Sequence, residues 1–172
     1  MTDQVRIATA VTAVANHLRE HPGDGTSNDS QAVATLDSGL RFRVTHPNGM
    51  SVFTDMPAGL GGESSAPSPG WLMRAAAAAC VASMIGIRAA QVGVALDSLA
   101  VTVDSVSDDR GLVGTDDSVP PGPSEATIAV RISAPGASGE ALRELVRWAH
   151  AHSPVTDSIG RAVPTTLNVQ VE

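Results

Sequence analysis

The chain has 172 residues, enough for one domain with a sizeable core and no staples. Its formal net charge is −7 and its 11 basic residues, all arginine, form no cluster, so no nucleic-acid partner is expected. One cysteine excludes an internal disulfide and suits a reducing compartment, which makes the cytoplasm the expected location.

Aromatic residues make up only 2% and tyrosine is absent, so the core must come from Val, Leu, Ile, Met and many alanines. Ile7 to Ala15 is apolar and ends in Ala13-Val14-Ala15, which imitates a signal-peptidase site. Thr9 and Thr12 interrupt it, however, and Asp3 stands where a positive charge belongs. Ile7, Val11, Val14 and Leu18 instead form a helical stripe, and the spacing predicts a helix from about Asp3 to Glu20. Pro22-Gly23-Asp24-Gly25 stops it.

Strand alternation follows. Leu40, Phe42 and Val44 alternate with Arg41, Arg43 and Thr45, which puts the two arginines on one face. His46-Pro47-Asn48-Gly49 is a turn, and Met50 to Asp55 reads as the returning strand. After a Gly, Ser and Pro-rich loop, Trp71 to Val92 reads as a helix apolar on nearly every face, hence buried all round. Arg74 and Arg88 bracket its uncharged stretch, which falls short of the roughly 18 residues a spanning helix needs, so no membrane partner is expected.

Val94 to Val106 is the next strand, with Leu99, Val101 and Val103 against Ala100, Thr102 and Asp104. Ser107 to Glu125 carries Asp108, Asp109, Asp116, Asp117 and a Pro-Pro-Gly-Pro run, and reads as a solvated loop. Ile128, Val130 and Ile132 form a further strand. Ser138 is the N-cap of a helix bearing Leu142, Leu145, Val146 and Ala149, Pro154 ends that helix, and Leu167, Val169 and Val171 alternate as a terminal strand. The order α-βββ-α-ββ-α-β is α+β, in a single domain over 1–172 with 1–21 as an N-terminal helical extension and 31–172 as the core.

Few residues invite chemistry. His17 and His21 share a helix face but lack a third ligand, and His150 and His152 point to different faces, so no metal is expected. Gly62-Glu63-Ser64-Ser65-Ala66 lacks the last glycine of a nucleophile elbow, and Gly61-Gly62 is too short for a dinucleotide fingerprint. No cofactor is expected. Cys80 remains. Free cysteine is often a small buried hydrophobe. An ordinary thiol is only about 3% thiolate at pH 7, and a neighbouring Arg raises that fraction.

Gly61-Gly62, Pro67-Ser68-Pro69, Leu72, the Ala-rich run to Ala79-Cys80, the Gly93-Val94 to Val103 strand and Ser153-Pro154-Val155 together resemble the OsmC/Ohr family of stress-linked thiol peroxidases, over about Gln31 to Val171. The resemblance implies an intertwined α+β homodimer with central helices buried between sheets. It makes Cys80 the peroxidatic position, with Arg41 or its neighbour Arg43 in the region of the activating arginine. The family's resolving cysteine is replaced by Ser153, and the Glu ten residues before the reactive Cys by Gly70, with Glu63 a conceivable substitute. A cycle within one chain is therefore excluded. The expectation is a one-cysteine reductase of small hydroperoxides served by an external thiol reductant, with Arg41 as activator. The alternative is a non-catalytic dimeric scaffold that binds an apolar small molecule.

Overall fold

The computed structural model describes residues 2–171. They fall into two units, treated separately below. One holds the described residues through Ala8, Ala77–Val103 and the chain from Thr127 on; the other holds Thr9–Ala76 and Asp104–Ala126.

Helix α1 (Asp3–Glu20) forms where its stripe predicts, with Asp3 in the first turn and Arg19 in the last, each sign suited to its end of the helix dipole. None of its residues is buried. Ile7 and Val11 are half-covered, whereas Val14 and Leu18 remain exposed. Strands β1 (Val33–Ser38), β2 (Arg41–Thr45) and β3 (Ser51–Thr54) make an antiparallel sheet in chain order. The second hairpin pairs Phe42 with Thr54, Arg43 with Phe53 and Thr45 with Ser51. Gly49 closes its turn at φ 91°, in the left-handed region that glycine enters without steric cost, and its N–H donates to the His46 carbonyl.

Helix α2 spans Pro69–Gln91. Ala77, Val81, Ile85 and Ala89 recur every fourth residue and are buried, a single stripe seated in the first unit. The expectation of burial on all faces fails within one chain. Ala76, Ala79 and Ser83 are exposed, because the covering elements lie along one side of the helix only. Strands β4 (Ser98–Val106) and β5 (Glu125–Ser133) pair antiparallel and alternate as predicted, with Leu99, Val101, Ile128, Val130 and Ile132 packed on the stripe. Helix α4 (Gly139–Ala151) closes this core with Leu145 and Ala149, and the Ser138 hydroxyl accepts from the Ala141 N–H as its cap. The Arg88 guanidinium lies 4.7 Å over Trp148, tying α2 to α4.

Three expectations are corrected. The acidic connection is folded: α3 (Asp109–Val113) follows the Asp108 N-cap, and Arg110 pairs with Asp108 at 2.6 Å and Asp116 at 3.3 Å. A Cβ on Gly111 would fall 2.5 Å from the Val119 and Pro120 carbonyl oxygens, so the proline run lies directly on this helix. Pro154 does not merely end α4. It opens α5 (Pro154–Gly160) at a first-turn position, where its missing N–H has no intrahelical partner to lose. Finally, the segment with Leu167, Val169 and Val171 has strand alternation but no strand partner among the described residues, and those residues are 88%, 74% and 91% exposed. Alternation describes a strand's faces; hydrogen-bonding partners decide whether it forms.

Candidate functional site

Cys80 lies in α2, in the first unit, at the border of the buried stripe. Ala77 and Val81 beside it are buried, whereas Ala79 and Ser83 are exposed. Cys80 is a free cysteine, half-buried as a residue. Its Sγ makes no hydrogen bond among the described residues. Ser153, also in this unit, is 1% exposed. Its hydroxyl accepts from the Thr156 N–H at 3.5 Å as the N-cap of α5, while its carbonyl accepts from the Asp157 N–H and from the Thr156 hydroxyl. Ser153 thus has a local structural task.

Arg41 belongs to the second unit. Its Nε donates to Asp37 Oδ2 at 3.0 Å, its Nη1 donates to Ser65 Oγ at 2.6 Å, and its guanidinium carbon is 4.2 Å from the Phe53 ring centre. Arg43 shares that ring at 5.7 Å, as the common strand face predicts. The acid that holds Arg41 is therefore Asp37, four residues earlier, and not Glu63. The Glu63 carboxylate forms no ion pair among the described residues, and its backbone N–H donates to Asp55.

Asp55 is the residue that sequence reasoning passed over. It is 2% exposed at the end of β3, and its Oδ2 accepts from the Ser65 N–H at 2.9 Å, the Ser65 hydroxyl at 2.8 Å and the Glu63 N–H at 3.2 Å. The Ser65 backbone and side-chain hydrogen bonds, chiefly, hold its carboxyl below the usual aspartate range against the opposing effect of burial. Ser65 thus passes a hydrogen-bonded chain from Arg41 to Asp55. The signal was present: an acid closing a strand, then Pro57, then Gly61-Gly62. Gly61 sits at φ 86°, and a Cβ on Gly62 would stand 1.9 Å from the Met56 carbonyl oxygen. Only glycine permits that approach, which brings Glu63 and Ser65 within reach of Asp55.

The same unit contains a cavity of about 700 Å³. Its walls are the short 3-10 turn Ala58–Leu60, the first turns of α2 with Gly70 and Met73, and the α3 lobe with Leu112 and Pro121. Arg74 reaches it, with Nη1 donating to Ser105 Oγ at 3.1 Å. No group of three or more metal-ligating side chains comes together among the described residues. His17 bonds Asp24 and stacks on His21 at 4.7 Å; His152 stacks on Trp148.

Among curated proteins the chain has no match. It is similar in structure to an OsmC-like protein of Mycoplasma pneumoniae, with TM-score 0.67, 14% identity and coverage of 80% of this chain and 91% of that one. An organic hydroperoxide resistance protein OsmC of Legionella pneumophila aligns with TM-score 0.58 at 24% identity, over 78% and 90% of the two chains. The organic hydroperoxide resistance protein OhrB of Bacillus subtilis aligns with TM-score 0.51 at 19% identity, over 76% and 90%. At these identities the neighbours establish the fold. Residues 61–168, most of the chain and all of α2, β4, β5 and α4, match the family model for OsmC-like proteins. The chain belongs to the OsmC-like protein family.

Proposed function

We propose that this protein is a one-cysteine, thiol-dependent reductase of organic hydroperoxides, acting as a homodimeric OsmC-like domain in the cytoplasm. The observation that carries the reading is the half-buried, unpaired Cys80 at the rim of the α2 stripe, within the segment that matches the family. Solved neighbours bear the name organic hydroperoxide resistance protein.

The Cys80 thiolate attacks the terminal oxygen of ROOH, the O–O bond breaks, and RO⁻ leaves and takes up a proton as ROH. The sulfur is left as a sulfenic acid. With Ser153 buried as a cap and no second cysteine in the chain, an external thiol condenses with the sulfenic acid and releases water. A second external thiol then displaces Cys80 from the mixed disulfide. Arg41 is the proposed activator, since Nη2 makes no hydrogen bond among the described residues while Nε and Nη1 are held. Dimerisation is supported by the uncovered Ala76, Ala79 and Ser83 face of α2 and by the extended, exposed Leu167, Val169 and Val171 segment. The test is intact mass after a brief cumene hydroperoxide pulse with a sulfenic-acid trap present. A trapped adduct on wild type and none on Cys80→Ser supports the reading. An unmodified wild-type thiol beside a reacting control peroxidase rejects it.

A second reading has its own support. Gly70 occupies the position of the family's Arg-holding glutamate, and the cavity beside it is large enough for a small apolar molecule, which suits a scaffold that binds without turnover.

A further inference from the structure

The geometry points to a second ligand site in this protein, the cavity between the α3 lobe and the first turns of α2, selective for an amphipathic monocarboxylate with an apolar body of about ten to sixteen carbons. The inference goes beyond peroxide chemistry and does not depend on Cys80, which does not line this cavity.

Its volume, about 700 Å³, lies within the range of small-molecule sites. The walls come from Met56, Leu60, Met73, Leu112 and prolines, side chains that present hydrocarbon and thioether and no aromatic ring. Methionines adapt to flexible chains, and prolines fix the wall at little entropic cost. Arg74 is the one basic side chain on its walls. Arg74 is half-buried, has no carboxylate partner among the described residues, and spends one hydrogen bond on Ser105. A guanidinium has five donors, so the remaining ones are available for a bidentate acceptor. The acids at the cavity do not cancel it. Asp108 is taken up by Arg110 at 2.6 Å, and Asp109 is exposed. A second cavity of about 360 Å³, which includes Trp71 and Ser64, also opens onto Arg74. A Cβ on Gly70 would meet nothing nearer than Arg74 Nη1 at 4.0 Å, so a longer side chain at this lining position has room to enter the cavity.

The experiment is calorimetric titration of the full chain with dodecanoate, dodecanol and dodecyltrimethylammonium, each below its micellar concentration. One dodecanoate is expected to bind per chain, at least ten-fold tighter than the alcohol or the ammonium. Arg74→Met should weaken dodecanoate at least ten-fold and dodecanol less than three-fold. Gly70→Leu, which fills the cavity and favours the helix, should weaken both. Cys80→Ser should bind as wild type, which separates failure of this site from failure of peroxide turnover. Absence of saturable binding, equal affinity for the three probes, or dodecanoate binding unchanged in either cavity variant overturns the proposal.

Discussion

Replacing Gly62 by alanine strikes the loop that shapes the second unit. The added Cβ would lie 1.9 Å from the Met56 carbonyl oxygen, 2.5 Å from the Met56 carbonyl carbon and 2.9 Å from Asp55 Oδ1. Acceptable contact begins near 3.0 Å, so backbone must move by about 1 Å. The obstacle is backbone, which has no flexible end to swing aside. That carbonyl also accepts from the Ser64 N–H at 3.2 Å, and displacement loosens this bond. Overpacking of this kind costs about 1–3 kcal/mol, and one lost hydrogen bond about 1 kcal/mol. The sum, about 2–4 kcal/mol, corresponds to a fall in thermal midpoint of roughly 5–15 °C for a chain of this size. Gly59→Ala is the control, because a Cβ there meets nothing within 4 Å. Thermal unfolding followed by circular dichroism, with urea titration for the free energy, reads both variants. A Gly62→Ala midpoint within 1 °C of wild type would refute the close approach on which the Asp55 knot depends.

Asp55→Asn should lower the midpoint at pH 7. Because the folded carboxyl titrates below its unfolded value near 3.8, its stabilisation is present above that pH and is lost as pH falls through the folded value; the gap between wild type and variant should therefore close in acid. A gap independent of pH in a melting series from pH 7 to pH 2 would contradict this. Ile85→Ala, at a fully buried position, should cost about 2–5 kcal/mol in urea unfolding, and a loss under 1 kcal/mol would remove Ile85 from the core. Ser153→Ala removes the cap of α5 through a 3.5 Å contact and should cost about 0.5–1 kcal/mol; no change in the urea midpoint would deny it that task. Ala79→Leu lies on the exposed face of α2, so it should spare the folded chain but weaken self-association in sedimentation equilibrium, and undiminished association would exclude that face from the dimer contact.

The elements legible in the sequence were those whose periodicity is local. The α1 and α4 stripes and the alternation of β4 and β5 need no knowledge of the rest of the chain, and they sit where their spacing places them. What escaped depends on distant partners. The α2 sequence shows apolar character on every face, but it cannot show that Ala77, Val81, Ile85, Ala89 and Ala90 are buried while Ala76, Ala79 and Ser83 are exposed. Leu167 to Val171 carries a strand's pattern with no strand beside it among the described residues. Arg110 turns an acidic run into a folded lobe through two ion pairs, which charge counting reads as solvation. Pro154 alone reads as a stop because helix N1 and the region past a helix end both favour proline, and Ser153 immediately before it is the deciding cap. At the candidate site, Cys80 and Arg41 were visible as residue types. Asp37 has no signal of its own, and Asp55 only the faint one of an acid closing a strand before Pro57 and Gly61-Gly62, because their meaning lies in hydrogen bonds to Arg41, Glu63 and Ser65.

Turnover bears most directly on the chemistry assigned to Cys80. Consumption of cumene hydroperoxide should stop near one equivalent per chain when no thiol is added, and continue for many equivalents when an external dithiol is supplied. Cys80→Ser should consume none under either condition. Consumption that persists in Cys80→Ser, or a wild-type chain that removes no peroxide even with dithiol in excess, would contradict a catalytic sulfur at this position.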